Sequence, residues 1–246
     1  MIKTALIKSL GWPITLRFGD PLVMDRWRWL NPRLARGSLR TFDAGCGNGC
    51  FSFAAAAGGN EVVAASYDEA PLEKARMRAR LFGLSKIKFL TVDLCELDKM
   101  AQELGQFDQI ICTECIEHIH DDEKLVFDLA RMLNPGGRLL LTTPEATHRS
   151  LRYEERLLTE IGGHVRWGYT ETRLREIFSA AQLSVEEVSY TSGWVSQQLT
   201  NLMRRENERL AWALTFPLRA FQAIDRLSNK AFKYPWFGIG VVGRKR

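Results

Sequence analysis

The 246-residue sequence predicts an α/β fold, a mostly parallel sheet with helices on both faces. Three observations carry this. Short β-rich runs alternate with helical patterns through the middle of the chain. A glycine-rich stretch, Gly45-Cys46-Gly47-Asn48-Gly49, falls between the first such run and a helix. No internal repeat or low-complexity tract competes with the alternation.

The elements follow in order. Segment 19–32 reads as a basic aromatic helix carrying Arg26, Trp27, Arg28 and Trp29, part of an N-terminal lid over 1–40. Strands are predicted at 40–44, 61–66, 87–92, 107–113 and 138–143, and later at 184–190 and 237–243. An alanine-rich helix at 51–57 follows the glycines. A helix at 69–81 has Pro71 in its first turn, where the missing N–H does no harm. A helix at 121–133 stops at Asn134-Pro135-Gly136-Gly137, a strong turn signal. Thr170 is placed to cap a helix at 171–181. Residues 197–234 read as two helices broken near Pro217. The expectation is one domain over 1–246: a lid at 1–40, a core at 41–195, a basic amphipathic insertion at 196–236 and a last strand at 237–246.

Apolar residues make up 46% and charged residues 26%, which excludes a disordered chain, a collagen-like repeat and a disulfide miniprotein. A chain this long buries roughly three-quarters of its surface. No apolar run approaches the ~20 residues of a membrane span. The N-terminal apolar stretch is broken by Lys8 and reads as part of the fold, not as a signal peptide. Five cysteines make an odd count, which points to reduced thiols and a cytoplasmic setting. Charge is segregated. Residues 1–40 carry eight Lys or Arg against two Asp or Glu, residues 196–246 carry ten against three, and the middle is acidic.

Glycines at a strand-to-helix junction let a ligand approach the backbone and meet the free N–H groups of a helix start. The nicotinamide pattern would want glycine at position 50, which is Cys50, and no Gly-Lys-Ser/Thr follows for a P-loop. The run Asp43-x-Gly45-x-Gly47-x-Gly49 resembles the first motif of the class I S-adenosylmethionine (SAM)-dependent methyltransferases of the ubiquinone/menaquinone type. Four further segments resemble the same family in order: 61–68, 89–94, 107–119 and 135–144. The resemblance implies a Rossmann-like, seven-stranded sheet with SAM as cofactor and S-adenosylhomocysteine as product. It implies that Gly45, Gly47 and Gly49, with Cys46 and Asn48, hold the methionine end of SAM, and that Asp43 fixes its amine. Asp93 and Leu94 would receive the adenine, Glu114 and Cys115 would complete the cofactor contacts, and Glu114 and His118 would line the methyl-transfer side. One departure stands out: the usual ribose-binding carboxylate falls at Ser66, so Ser66, Tyr67 and Asp68 share that assignment, and Asp68 is equally placed to cap the next helix.

Transfer to a hydroxyl requires a proton acceptor. His118, His164 and Glu114 are the catalytic candidates. His120 reads as a solvated loop residue, and His148 is the fourth histidine. The loop Gly162-Gly163-His164-Val165-Arg166-Trp167-Gly168-Tyr169 reads as a lid that offers His164, Arg166 and Tyr169 to a substrate, with Trp27 from the N-terminal helix. Cys112-x-x-Cys115-x-x-His118-x-His120 suggests zinc only superficially, because alternate strand residues face opposite ways; no metal is expected. The expected activity is methyl transfer to a small molecule, most simply a hydroxyl of an anionic, lipid-linked or sugar- or quinone-like metabolite. The basic, aromatic insertion has three readings: helices packed on the core, peripheral contact with a membrane, or capture of an anionic substrate. A nucleic-acid or protein methyltransferase, marked by steep salt dependence, and a non-catalytic adaptor at a membrane surface are the alternatives.

Overall fold

The computed structural model describes residues 11–13, 16, 19–148, 163–205 and 217–246. Seven strands, β1 Arg40–Ala44, β2 Glu61–Ser66, β3 Ile87–Thr91, β4 Phe107–Thr113, β5 Leu133–Pro144, β6 Leu183–Thr191 and β7 Gly238–Lys245, form one sheet. Their order is β3-β2-β1-β4-β5-β7-β6. The pairs β2–β3, β1–β2, β1–β4 and β4–β5 are parallel. The α/β class and the seven-stranded sheet hold. Every residue of β4 except Asp108 is buried, as a central parallel strand covered on both faces requires. At the start of β1, Thr41 Oγ1 donates to Asn60 and Gln109 Nε2 donates to both, a satisfied buried network that fixes this end of the sheet.

The helices are α1 Pro21–Leu30, α2 Cys50–Ala57, α3 Glu69–Leu81, α4 Leu97–Leu104, α5 Asp122–Arg131, α6 Glu171–Ala180, α7 Trp194–Arg205 and α8 Asp225–Phe232. The caps explain their starts. Asp20, Asp68, Asp121 and Thr170 each accept from a backbone N–H of the first turn. Two elements differ from expectation. Helix α4 went unpredicted. The turn at Asn134–Gly137 does not separate a helix from a strand. β5 already begins at Leu133, opposite Phe107, and the register then jumps so that Arg138 faces Gln109. The four turn residues are absorbed as a bulge inside the strand.

The chain divides into two compact units, 1–32 with 190–238 and 33–189 with 239–246. The first unit thus joins two sequence-distant pieces, one within the lid read over 1–40 and one overlapping the insertion read over 196–236. In it, α1 packs with α7, and α7 packs with α8 and with the 3-10 turn Arg219–Ile224. No helix of the described residues is long and apolar enough to cross a membrane. Arg209, Leu210, Trp212, Leu214 and Phe216 of the basic insertion, and Ile161 and Gly162 of the loop before α6, lie outside the described residues.

Candidate cofactor and catalytic site

β1 lies between β2 and β4, so strand order runs away from it in both directions. In open α/β sheets that switch point opens a crevice at the carboxyl ends of the strands. The glycine loop sits there. Cys46 N donates to Ala65 O at 2.8 Å, which ties the loop to the end of β2, and Gly49 N donates to Cys46 O at 2.9 Å. The loop glycines serve different ends. A Cβ on Gly45 would stand 2.6 Å from the Cys115 sulfur, so glycine there lets the β4 loop pack against the β1 loop. Gly47 has φ +50° and a Cβ on it would meet nothing within 4 Å; it borders open space. Helix α2 then begins after Gly49, which supplies no side-chain cap.

Asp43 stands at the base of this loop and is fully buried. Its Oδ2 accepts from Ser52. Its Oδ1 has no hydrogen-bond partner among the described residues. Burial pushes its pKa up to about 6, against the opposing effect of the Ser52 bond. Nearby, burial pushes the Cys46 thiol well above its ordinary range, so Cys46 is neutral packing. None of the five cysteines forms a disulfide.

At the end of β2, Ser66 is half-buried and Tyr67 is 77% exposed. Asp68 Oδ1 accepts from Ala70 N at 3.0 Å. The capping role read for Asp68 is therefore present. Beyond β3, Asp93 is exposed and its Oδ1 accepts from Cys95 N at 2.9 Å, while Leu94 is buried. The residues assigned to ribose and adenine thus stand at the ends of β2 and β3, next along the sheet from the loop.

The end of β4 carries the acid–base groups. Glu114 has φ +49°, a conformation that costs a non-glycine residue about 1 kcal/mol or more. It is held by its N–H to Thr142 O at 2.8 Å and by Thr142 Oγ1, which donates to its carboxylate at 3.2 Å. The chain then turns through the 3-10 segment Ile116–His118. Glu117 points inward and is fully buried. Thr143 Oγ1 donates to its Oε2 at 3.1 Å, and its Oε1 has no partner among the described residues. Burial, then the nearby Glu114 charge, holds the Glu117 carboxyl far above the ordinary carboxylate range.

The loop before α6 comes to this point. Val165 N donates to Glu117 O at 3.0 Å, and the rings of His118 and His164 meet edge to face, 4.4 Å between centroids. Burial and the neighbouring His118 hold His164 below its ordinary pKa. One ligand atom from each of Glu117, His118 and His164 lies within 4.8 Å of the others, so these three could also hold a metal ion. The convergent set is thus not the Cys112/Cys115/His118/His120 spacing. His148 is fully buried, and burial lowers its pKa to about 4, so it stays neutral at pH 7.

Two residues read as substrate contacts have other work. Tyr169 is 2% exposed, and its hydroxyl lies 3.2 Å from Ile116 O and 3.0 Å from Asp122 Oδ2. Arg166 bonds Asp122 at 2.6 Å, His120 O at 2.7 Å and the Tyr169 hydroxyl. Both help to anchor the loop that presents His164. Gly168 completes the anchor: a Cβ there would fall 2.3 Å from Pro144 O, the group that accepts from Tyr169 N. Trp27 belongs to the helical unit, where its ring lies edge-on to Trp12. Glu117 escaped the sequence reading. Its signal was the spacing Glu114-x-x-Glu117-His118, two carboxylates brought together by one turn.

Residues 36–207 match a family model described as "Methyltransferase domain". The chain is 29% identical over 156 residues to a ubiquinone biosynthesis O-methyltransferase of Marinobacter nauticus, covering 61% of this chain and 64% of that protein. It is 31% identical over 178 residues to the protein of that name from Xanthomonas oryzae pv. oryzae, covering 69% of this chain and 72% of that one. The chain therefore spans under two thirds of the Marinobacter relative's length. Among solved structures, phosphoethanolamine N-methyltransferase 2 of Haemonchus contortus with S-adenosyl-L-methionine superposes with a TM-score of 0.64 at 17% identity, covering 93% of this chain and 55% of that one. That likeness is one of fold.

Proposed function

We propose, for a chain that belongs to the methyltransferase-domain family, that it transfers the methyl group of SAM to a hydroxyl of a small molecule. The observation that carries this is the pairing of an open glycine, Gly47, with a buried carboxylate oxygen, Asp43 Oδ1, at the switch point of the sheet. A cationic amino-acid ligand fits both. Its carboxylate suits the uncapped start of α2, and its ammonium suits Asp43. SAM supplies an electrophilic methyl group on a sulfonium. Ser66 and Asp68 would take the ribose, and Asp93 and Leu94 the adenine.

The rest of the chemistry belongs to the turn after β4. Because burial and His118 lower its proton affinity, His164 is neutral at pH 7 and free to accept a proton. With SAM held there, the acceptor oxygen would take the methyl group as the sulfur–methyl bond breaks, leaving S-adenosylhomocysteine, and the hydroxyl proton would pass to an imidazole nitrogen of the His118/His164 pair. Burial and the nearby Glu114 disfavour the charged form of Glu117 beside this pair. The relatives named as ubiquinone biosynthesis O-methyltransferases support a quinone-like acceptor.

The test is methyl transfer from labelled SAM to a panel of catechol, sugar and carboxylate acceptors, read by mass. His164→Ala should lower kcat by about 10²-fold with SAM affinity unchanged. A chelator should leave the rate unchanged. SAM binding without transfer to any hydroxyl would overturn the O-methylation reading, and loss of activity on chelation would make Glu117, His118 and His164 a cation site.

A further inference from the structure

Residues 217–232 are built inside out. Arg219–Ile224 is a 3-10 turn that continues into α8. A 3-10 helix has three residues per turn, so side chains at spacing three stack in line. One line is polar and buried: Arg219, Gln222, Asp225 and Ser228. The next is apolar and exposed: Leu218 at 41%, Phe221 at 54%, Ile224 at 43% and Leu227 at 69%. Phe232, at 60%, extends the exposed set. A helix on an aqueous surface has the opposite arrangement.

The inversion is locked from inside the helical unit. Arg219 Nη1 donates to Leu16 O at 3.2 Å, and Nη2 donates to Gly19 O. Gln222 Nε2 donates to Pro21 O at 3.1 Å and to Asp25 Oδ1 and Ser196 Oγ at 3.0 Å. Asp225 accepts from the N–H groups of Gly193, Val195 and Ser196 and from the Ser196 hydroxyl. Turning the apolar line inward would strand these buried groups. The exposed line is therefore a fixed property of this surface.

We infer that this ridge seats the protein on an anionic lipid bilayer, lying in the headgroup layer. The outward charges beside the ridge are Arg226, Lys230 and Lys233, all exposed, and the segment's one carboxylate, Asp225, is buried. Apolar side chains flanked by cations match an anionic headgroup surface. The same charges disfavour a second copy, because a two-fold contact would set like charges against each other with no outward carboxylate in the segment to offset them. No described helix crosses a membrane, so the contact is peripheral. The inference does not depend on methyl transfer.

The test is flotation of the full chain, without SAM, with phosphatidylcholine vesicles with and without phosphatidylglycerol. Wild type should bind the anionic vesicles, about ten-fold or more above the neutral ones, and release at high salt. F221S/L227S and R226E/K230E should each bind about ten-fold less, with unchanged thermal midpoints and SAM affinity. Those positions are exposed, so the variants should fold. Absence of wild-type binding would overturn the inference. So would F221S/L227S binding like wild type, or a wild-type dimer that F221S/L227S turns into a monomer.

Discussion

Asp43 and Asp225 are both buried aspartates, yet they do opposite work. Asp225 accepts four hydrogen bonds, two at each oxygen, from the start of α7. Asp43 accepts from Ser52 at one oxygen and has no partner at the other among the described residues. A satisfied buried carboxylate holds architecture together. An unsatisfied one, at the base of a glycine loop, is a cost the fold carries, and binding is what can offset it.

The sharpest way to break this contrast is to remove each group. Asp225→Ala should destabilise the protein by about 3–5 kcal/mol, because it leaves several buried donors without an acceptor. Urea unfolding would check it. A loss under ~1 kcal/mol would mean that the polar line of the 3-10 turn is not a lock. Asp43→Asn should do the reverse. It should leave stability unchanged or raise it by about 1–3 kcal/mol, since the buried charge disappears, while SAM affinity falls about ten-fold or more.

A smaller effect sharpens the same point through pH. The folded-state pKa of Asp43 is raised, to about 6, so its ionised form is a burden on the unliganded fold. That burden is absent below the unfolded value near 3.8 and grows as pH rises through about 6. The binding of a cationic amine has the opposite sign. SAM affinity should weaken as pH falls through about 6, and Asp43→Asn should flatten that dependence. Calorimetric titrations across the range would show it, and a profile unchanged by the substitution would assign the pH dependence elsewhere.

Much of the sheet unit was legible because its signals are local. β1, β2 and β4 read correctly to the residue, since glycines, caps and apolar runs mark their ends. The turn at Asn134–Gly137 misled because β4 and β5 pair across it, a tertiary fact that overrides local turn chemistry. In the candidate site, the meeting of His118 and His164 was anticipated as two separate roles. Glu117 is marked in the sequence only by its spacing from Glu114, because its burial depends on the turn Ile116–His118 and on Thr143 of β5. That Asp122 engages both Arg166 and Tyr169 is not legible in the sequence, because Asp122 lies more than forty positions before them. The 217–232 segment is the hardest case. Its period is that of any amphipathic helix, and periodicity cannot say which face turns inward. Asp25, Ser196, the carbonyls of Leu16, Gly19 and Pro21, and the backbone of 193–196 decide that.

The central claim is that the glycine loop above Asp43 holds SAM. The most direct measurement is calorimetric titration of wild type and Gly47→Asp with SAM and with S-adenosylhomocysteine, alongside circular dichroism of both proteins. Wild type should bind both compounds, and the variant, folded, should lose about 100-fold or more in affinity, because the new carboxylate enters the open space and repels the ligand's own. A folded Gly47→Asp protein that binds SAM as wild type does would contradict the account.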